Sequence, residues 1–195
     1  MKALKDNCVI CDKRQMRALA AATRQEIVDV LPRMGTVSVA ELAAALGRPA
    51  DALYFHLRIL ERVGLIRRAG SRPATRRRET LFRAVGPELS LSYQPGKKGN
   101  AREVNAIIAS MLRLGIRDFR NAFQDFRSVV SGAHRELWAA RRTAWLSRSQ
   151  IARVNRYIHR LMREMAAPRR DGRLYAVTLV LTPLARQPRS RSRLH

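Results

Sequence analysis

Residues 50–66 read Ala50-Asp51-Ala52-Leu53-Tyr54-Phe55-His56-Leu57-Arg58-Ile59-Leu60-Glu61-Arg62-Val63-Gly64-Leu65-Ile66. Leu53, Leu57 and Leu60 recur at helical spacing, which predicts a helix from about 50 to 63 that buries them and ends at Gly64. Just upstream, Ser38-Val39-Ala40-Glu41 has the capping-box pattern and opens a helix with Val39, Leu42, Ala43 and Leu46 in its apolar stripe. Between the two helices stands Gly47-Arg48-Pro49, where Gly relieves a tight turn and Pro suits a helix start. Two helices joined this tightly cross steeply, so the second projects a polar face away from the core. That face presents Arg48, Asp51, Tyr54, Phe55, Arg58 and Arg62.

Downstream lie two short strand-like segments, Leu65 to Ala69 and Thr80 to Val85, around a tip containing Gly70 and Pro73. This pattern predicts a β-hairpin. Arg72, Arg76, Arg77 and Arg78 concentrate positive charge at its tip. A helix fits the major groove of B-DNA, where donors and acceptors identify each base pair. Arg48 and Arg58 suit phosphates or a guanine edge, Tyr54 suits a phosphate or a base, and Asp51 can accept from cytosine. A basic hairpin suits phosphates or a narrow minor groove.

Working outward, residues 1–12 read as a flexible leader, and a short helix follows from about Lys13 to Ala21. Thr23-Arg24-Gln25-Glu26 reads as a second capping box, opening a helix with Ile27, Leu31 and Met34 on one face. Residues 87–100 hold Pro87, Pro95, Gly96 and Gly99 and read as a linker. The second half, residues 101–184, begins with a periodic helix from Ala101 to Val130, about 45 Å long at the usual rise. Such a stripe needs a partner surface, in its own domain or on a second subunit. Residues 136–145 lean towards a strand. Ser147-Arg148-Ser149-Gln150 is a third capping box, and its helix carries Ile151, Val154, Ile158, Leu161 and Met165. Leu174 to Thr182 reads as a strand, and residues 185–195 as a disordered basic tail. The expected fold class is α+β, mainly α: a winged helix-turn-helix domain over 13–86 and a C-terminal helical domain with one or two strands.

Lys and Arg number 39 against 15 Asp and Glu, a net charge of +24. A surplus of that size implies a polyanionic partner. It does not locate the contact, because residues 1–90 hold 17 basic and 9 acidic residues and residues 91–195 hold 22 and 6. No apolar run approaches the roughly 20 residues that span a bilayer, and the N-terminus lacks a signal-peptide core. The expectation is a cytoplasmic, nucleoid-associated protein. Cys8 and Cys11 have a metal-like spacing, but a structural zinc needs four ligands and His56, His134, His159 and His195 are scattered. No metal or cofactor is expected. Neither a Gly-x-Ser-x-Gly elbow nor a phosphate loop nor a His-Glu-x-x-His motif occurs, so no enzyme is expected.

The segments Thr23 to Val28, Val39 to Ala43 and Ala52 to Ile66 together resemble the ArsR-type winged-helix transcriptional regulators over residues 14–85. That resemblance implies a homodimeric repressor on a palindromic operator, with 50–62 as recognition helix and 66–85 as wing. The C-terminal part, with Trp145-Leu146-Ser147 before a helix, is similar to the extension in one branch of that family. Metal-sensing members place a Cys pair where this chain has Glu41 to Leu46, so metal sensing is disfavoured. Phe119, Phe123 and Phe126 suit either a dimer interface or core, or a pocket for an apolar effector. Two other readings stay open: a nonspecific architectural protein driven by total charge, and a winged helix used for protein–protein assembly.

Overall fold

In the computed structural model, residues 8–10, 12–74, 78–87, 89–94, 96, 99–166 and 172–184 are described. The chain runs β1 (Cys8–Ile10), α1 (Lys13–Leu19), α2 (Ala22–Met34), β2 (Val37–Ser38), α3 (Val39–Leu46), α4 (Ala50–Arg62), β3 (Ile66–Pro73) and β4 (Arg78–Ala84). It continues through β5 (Leu89–Leu91), α5 (Ala101–Gln124) and α6 (Arg148–Ala166). The fold is α+β and mainly helical, as the patterning predicts.

Local chemistry sets most of these boundaries. Ser38 and Glu41 close a reciprocal capping box: the Glu41 backbone N–H donates to Ser38 Oγ at 3.3 Å and Ser38 N–H donates to Glu41 Oε2 at 2.8 Å. Gly47 ends α3 in the left-handed conformation, φ +59°, which costs glycine little and other residues much. The box expected at Thr23 does not form. Helix α2 begins at Ala22 with Ala21 as an N-cap that makes no side-chain bond.

Strands β3 and β4 pair antiparallel as the predicted hairpin, and β2 adds to β4 to give the order β2-β4-β3. A bulge between Arg68 and Ser71 spans Gly70, whose φ is +90°. A second pairing has no counterpart in the sequence pattern. Part of the expected leader, β1, lies parallel to β5, inside the expected linker, with Val9 opposite Ser90. Ile10 is fully buried there, and short segments of three residues carry too little pattern to be read from sequence.

One core joins these elements. Met16 and Leu19 of α1, Ile27 and Leu31 of α2, Leu42 of α3 and Leu53, Leu57 and Leu60 of α4 pack with Ile66, Phe82 and, from α5, Val104 and Ile107. Each such burial is worth about 1.5–3 kcal/mol against exposure.

The C-terminal half differs from its pattern in three places. Helix α5 stops at Gln124 rather than Val130, because Asp125 folds the chain into a turn by accepting from the Arg127 backbone N–H at 3.0 Å. Ser128 Oγ adds a bond of 2.7 Å to the Ala122 carbonyl. Residues 136–145 form no strand, and Leu174 to Thr182 forms none either. Strand-forming residues need a ladder to join, and none of the described strands pairs with them. The third capping box does form at α6: Ser147 N–H donates to Gln150 Oε1 at 2.8 Å and Gln150 N–H to Ser147 Oγ at 3.3 Å.

Candidate nucleic-acid interface

Helices α3 and α4 with the turn at Gly47-Arg48-Pro49 make a helix-turn-helix, and β3–β4 stand beside α4 as a wing. Leu53, Leu57 and Leu60 are buried at 0–1% exposure, which fixes the rotation of α4 about its axis. The opposite side then carries Asp51, Tyr54, Phe55, Arg58 and Arg62, all exposed. Asp51, Phe55, Arg58 and Arg62 advance by four, three and four residues and Tyr54 stands three after Asp51, so they share one broad face. Among the described residues Arg58 and Arg62 have no ion-pair partner.

Arg48 sits elsewhere. It is half-buried in the turn, and its Nη2 donates to Glu26 Oε2 at 2.6 Å. The other oxygen of Glu26 accepts from Arg117 of α5. Glu26 is itself buried, so one carboxylate clamps the helix-turn-helix turn to α5. Sequence reading placed Arg48 on the outward face; the clamp turns it towards α2 instead. An acidic residue 22 positions upstream gave no local signal for that pairing.

The wing arginines divide in the same way. Arg72 bonds Glu41 at 2.9 Å and Glu79 at 3.2 Å, tying the wing to the first turn of α3. The Ser38 backbone bond, then Arg72, holds the Glu41 carboxyl below its ordinary range, and the Glu41 bond raises the Arg72 guanidinium. Arg78 donates to Ser71 Oγ at 2.9 Å and to the Ser71 carbonyl at 3.1 Å, closing the hairpin on itself. Arg76 and Arg77 lie outside the described residues. Arg68 pairs with Glu61 at 2.9 Å and braces wing against helix. Between them runs a cleft of about 160 Å³, lined by Tyr54, Arg58, Glu61, Arg68, Thr80 and Phe82, with Leu57 at its floor.

Two further cations emerge from the register and not from the sequence. Arg67 lies directly opposite Arg83 across β3 and β4, both exposed. Like charges in that position repel and lower sheet stability, so an anion near them would relieve a real cost. His56 lies beside Phe55, edge to face at 5.6 Å, with its Nδ1 buried and unpartnered. Burial, then the charges of Arg24 and Arg48, hold its imidazole below the ordinary value. Cys8 lies in β1, while Cys11 falls outside the described residues, so the pair forms no described site.

Residues 19–69 match the family model of a helix-turn-helix domain, which covers α2 through α4 and the start of the wing. No curated protein matches the chain. The N-terminal half is thus a helix-turn-helix domain, a DNA-binding class of module. No helix among the described residues is long and apolar enough to cross a membrane.

Proposed function

We propose that the protein is a sequence-specific transcriptional regulator, a repressor that acts as a homodimer on a palindromic operator in double-stranded DNA. The observation that carries this reading is the face of α4, where Asp51, Tyr54, Phe55, Arg58 and Arg62 are exposed together opposite a fully buried leucine stripe. In the major groove, Arg58 and Arg62 reach guanine edges or phosphates, Asp51 accepts from cytosine, and Phe55 meets a thymine methyl. The wing contributes phosphate contacts through the opposed Arg67 and Arg83, together with Arg76 and Arg77 of its tip. Arg48, Arg72 and Arg78 act one step back, holding the turn and the wing in place. Residues 101–184 bring two copies together, and two recognition helices then read half-sites about 34 Å apart.

Recovery of bound DNA across a genome tests this directly. The expected result is a two-fold-symmetric motif, with Arg58→Ala losing about 1–3 kcal/mol of operator affinity and relaxing one base position. Fragments without any motif, with affinity following phosphate count alone, would overturn it. They would favour a nonspecific binder, the reading for which the +24 net charge speaks.

A further inference from the structure

Most of the positive charge lies outside the helix-turn-helix, since residues 91–195 hold 22 basic and 6 acidic residues. It concentrates between Leu137 and Ala166, where seven arginines stand against one acid, Glu164. Both tryptophans of the chain lie in the same stretch, Trp138 at 70% and Trp145 at 96% exposure. Leu137 is buried and its carbonyl accepts from Arg135 Nε at 2.7 Å, which pins the backbone beside Trp138. The Arg135 guanidinium lies over the Trp138 ring, 4.2 Å from its centre, and the rest of the indole stays open. Arg141 and Arg142 stand between the two indoles, and the Ser147 cap starts α6 two residues after Trp145. Along α6, Arg153, Arg156, Arg160 and Arg163 advance by three, four and three residues, so they form one basic face, and all four are exposed. Among the described residues none of these six arginines has an ion-pair partner; Arg142 donates to the Arg141 carbonyl at 3.1 Å. The acids Asp125 and Glu136 are engaged by Arg127 and Arg173.

We infer that residues 138–163 form a second nucleic-acid surface, one that takes an unpaired strand of RNA or DNA. Arginines at this density fit a polyanion. Two indoles held in water between them narrow the choice, because they offer flat rings on which bases stack. A strand of unpaired bases meets both features at once: its phosphates pair with the guanidiniums and its bases lie on the rings. Duplex DNA offers the phosphates, but its bases are already stacked on one another, and its groove edges are what α4 suits. A lipid surface also offers phosphates. Against it stands the orientation of α6, which keeps Ile151, Val154, Ile158 and Met165 half-buried and turns its arginines outward. A helix that lies in a membrane interface does the reverse and sinks its apolar side. The surface is separate from α4 and stands whether or not the operator reading does.

The two indoles report on their own site, because the chain has no other tryptophan. Titration of the full chain with short oligouridylate or oligothymidylate should quench tryptophan emission, and the tighter of the two names the sugar. A random duplex and inorganic polyphosphate, at equal phosphate concentration, should quench less. With a labelled strand and anisotropy as readout, Trp138→Ala and Trp145→Ala should each weaken binding about 5- to 150-fold, and Trp145→Phe should recover most of the loss. Arg141→Ala with Arg142→Ala should lower the slope of log affinity against log salt by roughly 0.7 per arginine. Circular dichroism checks that these exposed positions tolerate the changes. Arg58→Ala should leave strand affinity as it is; a parallel loss would put the strand on α4 and overturn the surface. Equal quenching by polyphosphate would overturn it in favour of charge alone. A response to phosphatidylglycerol vesicles with none to either strand would overturn it in favour of a membrane, and so would emission that no probe changes, in favour of no site at all.

Discussion

Helices α4 and α6 are equally legible as amphipathic helices, yet they end in opposite environments. Helix α4 places Leu53, Leu57 and Leu60 in the core at 0–1% exposure, and its polar face is left for a ligand. Helix α6 carries Ile151, Val154, Ile158, Leu161 and Met165 in the same kind of stripe and has no buried residue. Both sequences dictate a helix through spacing and a cap. What differs is the supply of neighbours: α4 meets α1, α2, α3 and the wing within its own chain, and α6 meets little. Periodicity therefore states which side must be covered, and only tertiary structure states what covers it.

The largest expected effect probes that contrast. Leu57→Ala should cost about 2–5 kcal/mol in chemical denaturation, because it empties a site with no solvent access. Leu174→Ala, at a position 62% exposed, should cost under about 0.5 kcal/mol. Equal losses would mean the two halves share one cooperative core. Next comes the carboxylate that joins them. Glu26→Gln leaves Arg48 and Arg117 without their shared partner and should cost about 1–2 kcal/mol. The value falls below that for a fully buried pair because both guanidiniums are about a third exposed. It should also weaken DNA binding with Arg58 untouched. Stability lost with affinity unchanged would show that the clamp does not set the pose of α4.

The winged helix was legible because its information is local. Ser38 with Glu41, Gly47 before Pro49, and Gly64 after the leucine stripe each specify a backbone event within a few residues. The face of α4 followed directly from the stripe, so Asp51, Tyr54, Phe55, Arg58 and Arg62 were placed correctly as exposed. Arg48 is half-buried instead, and Arg72 and Arg78, though exposed, are bonded within the fold, because an arginine is sorted by its partner and the partners Glu26, Glu41 and Ser71 come from other elements. The opposed Arg67 and Arg83 needed the strand register, which a bulge at Gly70 shifts. Leu174 to Thr182 has the composition of a strand, but a strand exists only with a ladder, and composition says nothing of the neighbour.

A matched pair of caps sharpens the comparison at smaller scale. Ser38→Ala and Ser147→Ala each remove the capping bond that the serine Oγ accepts, from the Glu41 N–H and the Gln150 N–H respectively, and each should cost its helix about 1 kcal/mol. In α3 that loss should appear in global unfolding, because Val39 and Leu42 are core residues. In α6 it should appear as faster amide exchange in the first turn, with global stability unchanged. Global loss from the Ser147 variant would show that α6 is packed more firmly than its exposure indicates.

The smallest expected effect is a pH dependence confined to the winged helix. His56 has its folded-state value held below the ordinary one by burial, then by Arg24 and Arg48. The unfolded chain therefore takes up this proton at a higher pH than the folded chain does. The stability it contributes is whole above the unfolded value of about 6.5 and declines as pH falls below it towards the folded value. Melting of wild type compared with His56→Gln isolates the imidazole from every carboxylate, since those are common to both. Between pH 7 and pH 5 wild type should lose stability relative to the variant. Parallel curves would mean that the imidazole finds a partner for its proton on charging, and that the buried Nδ1 is no strain on α4.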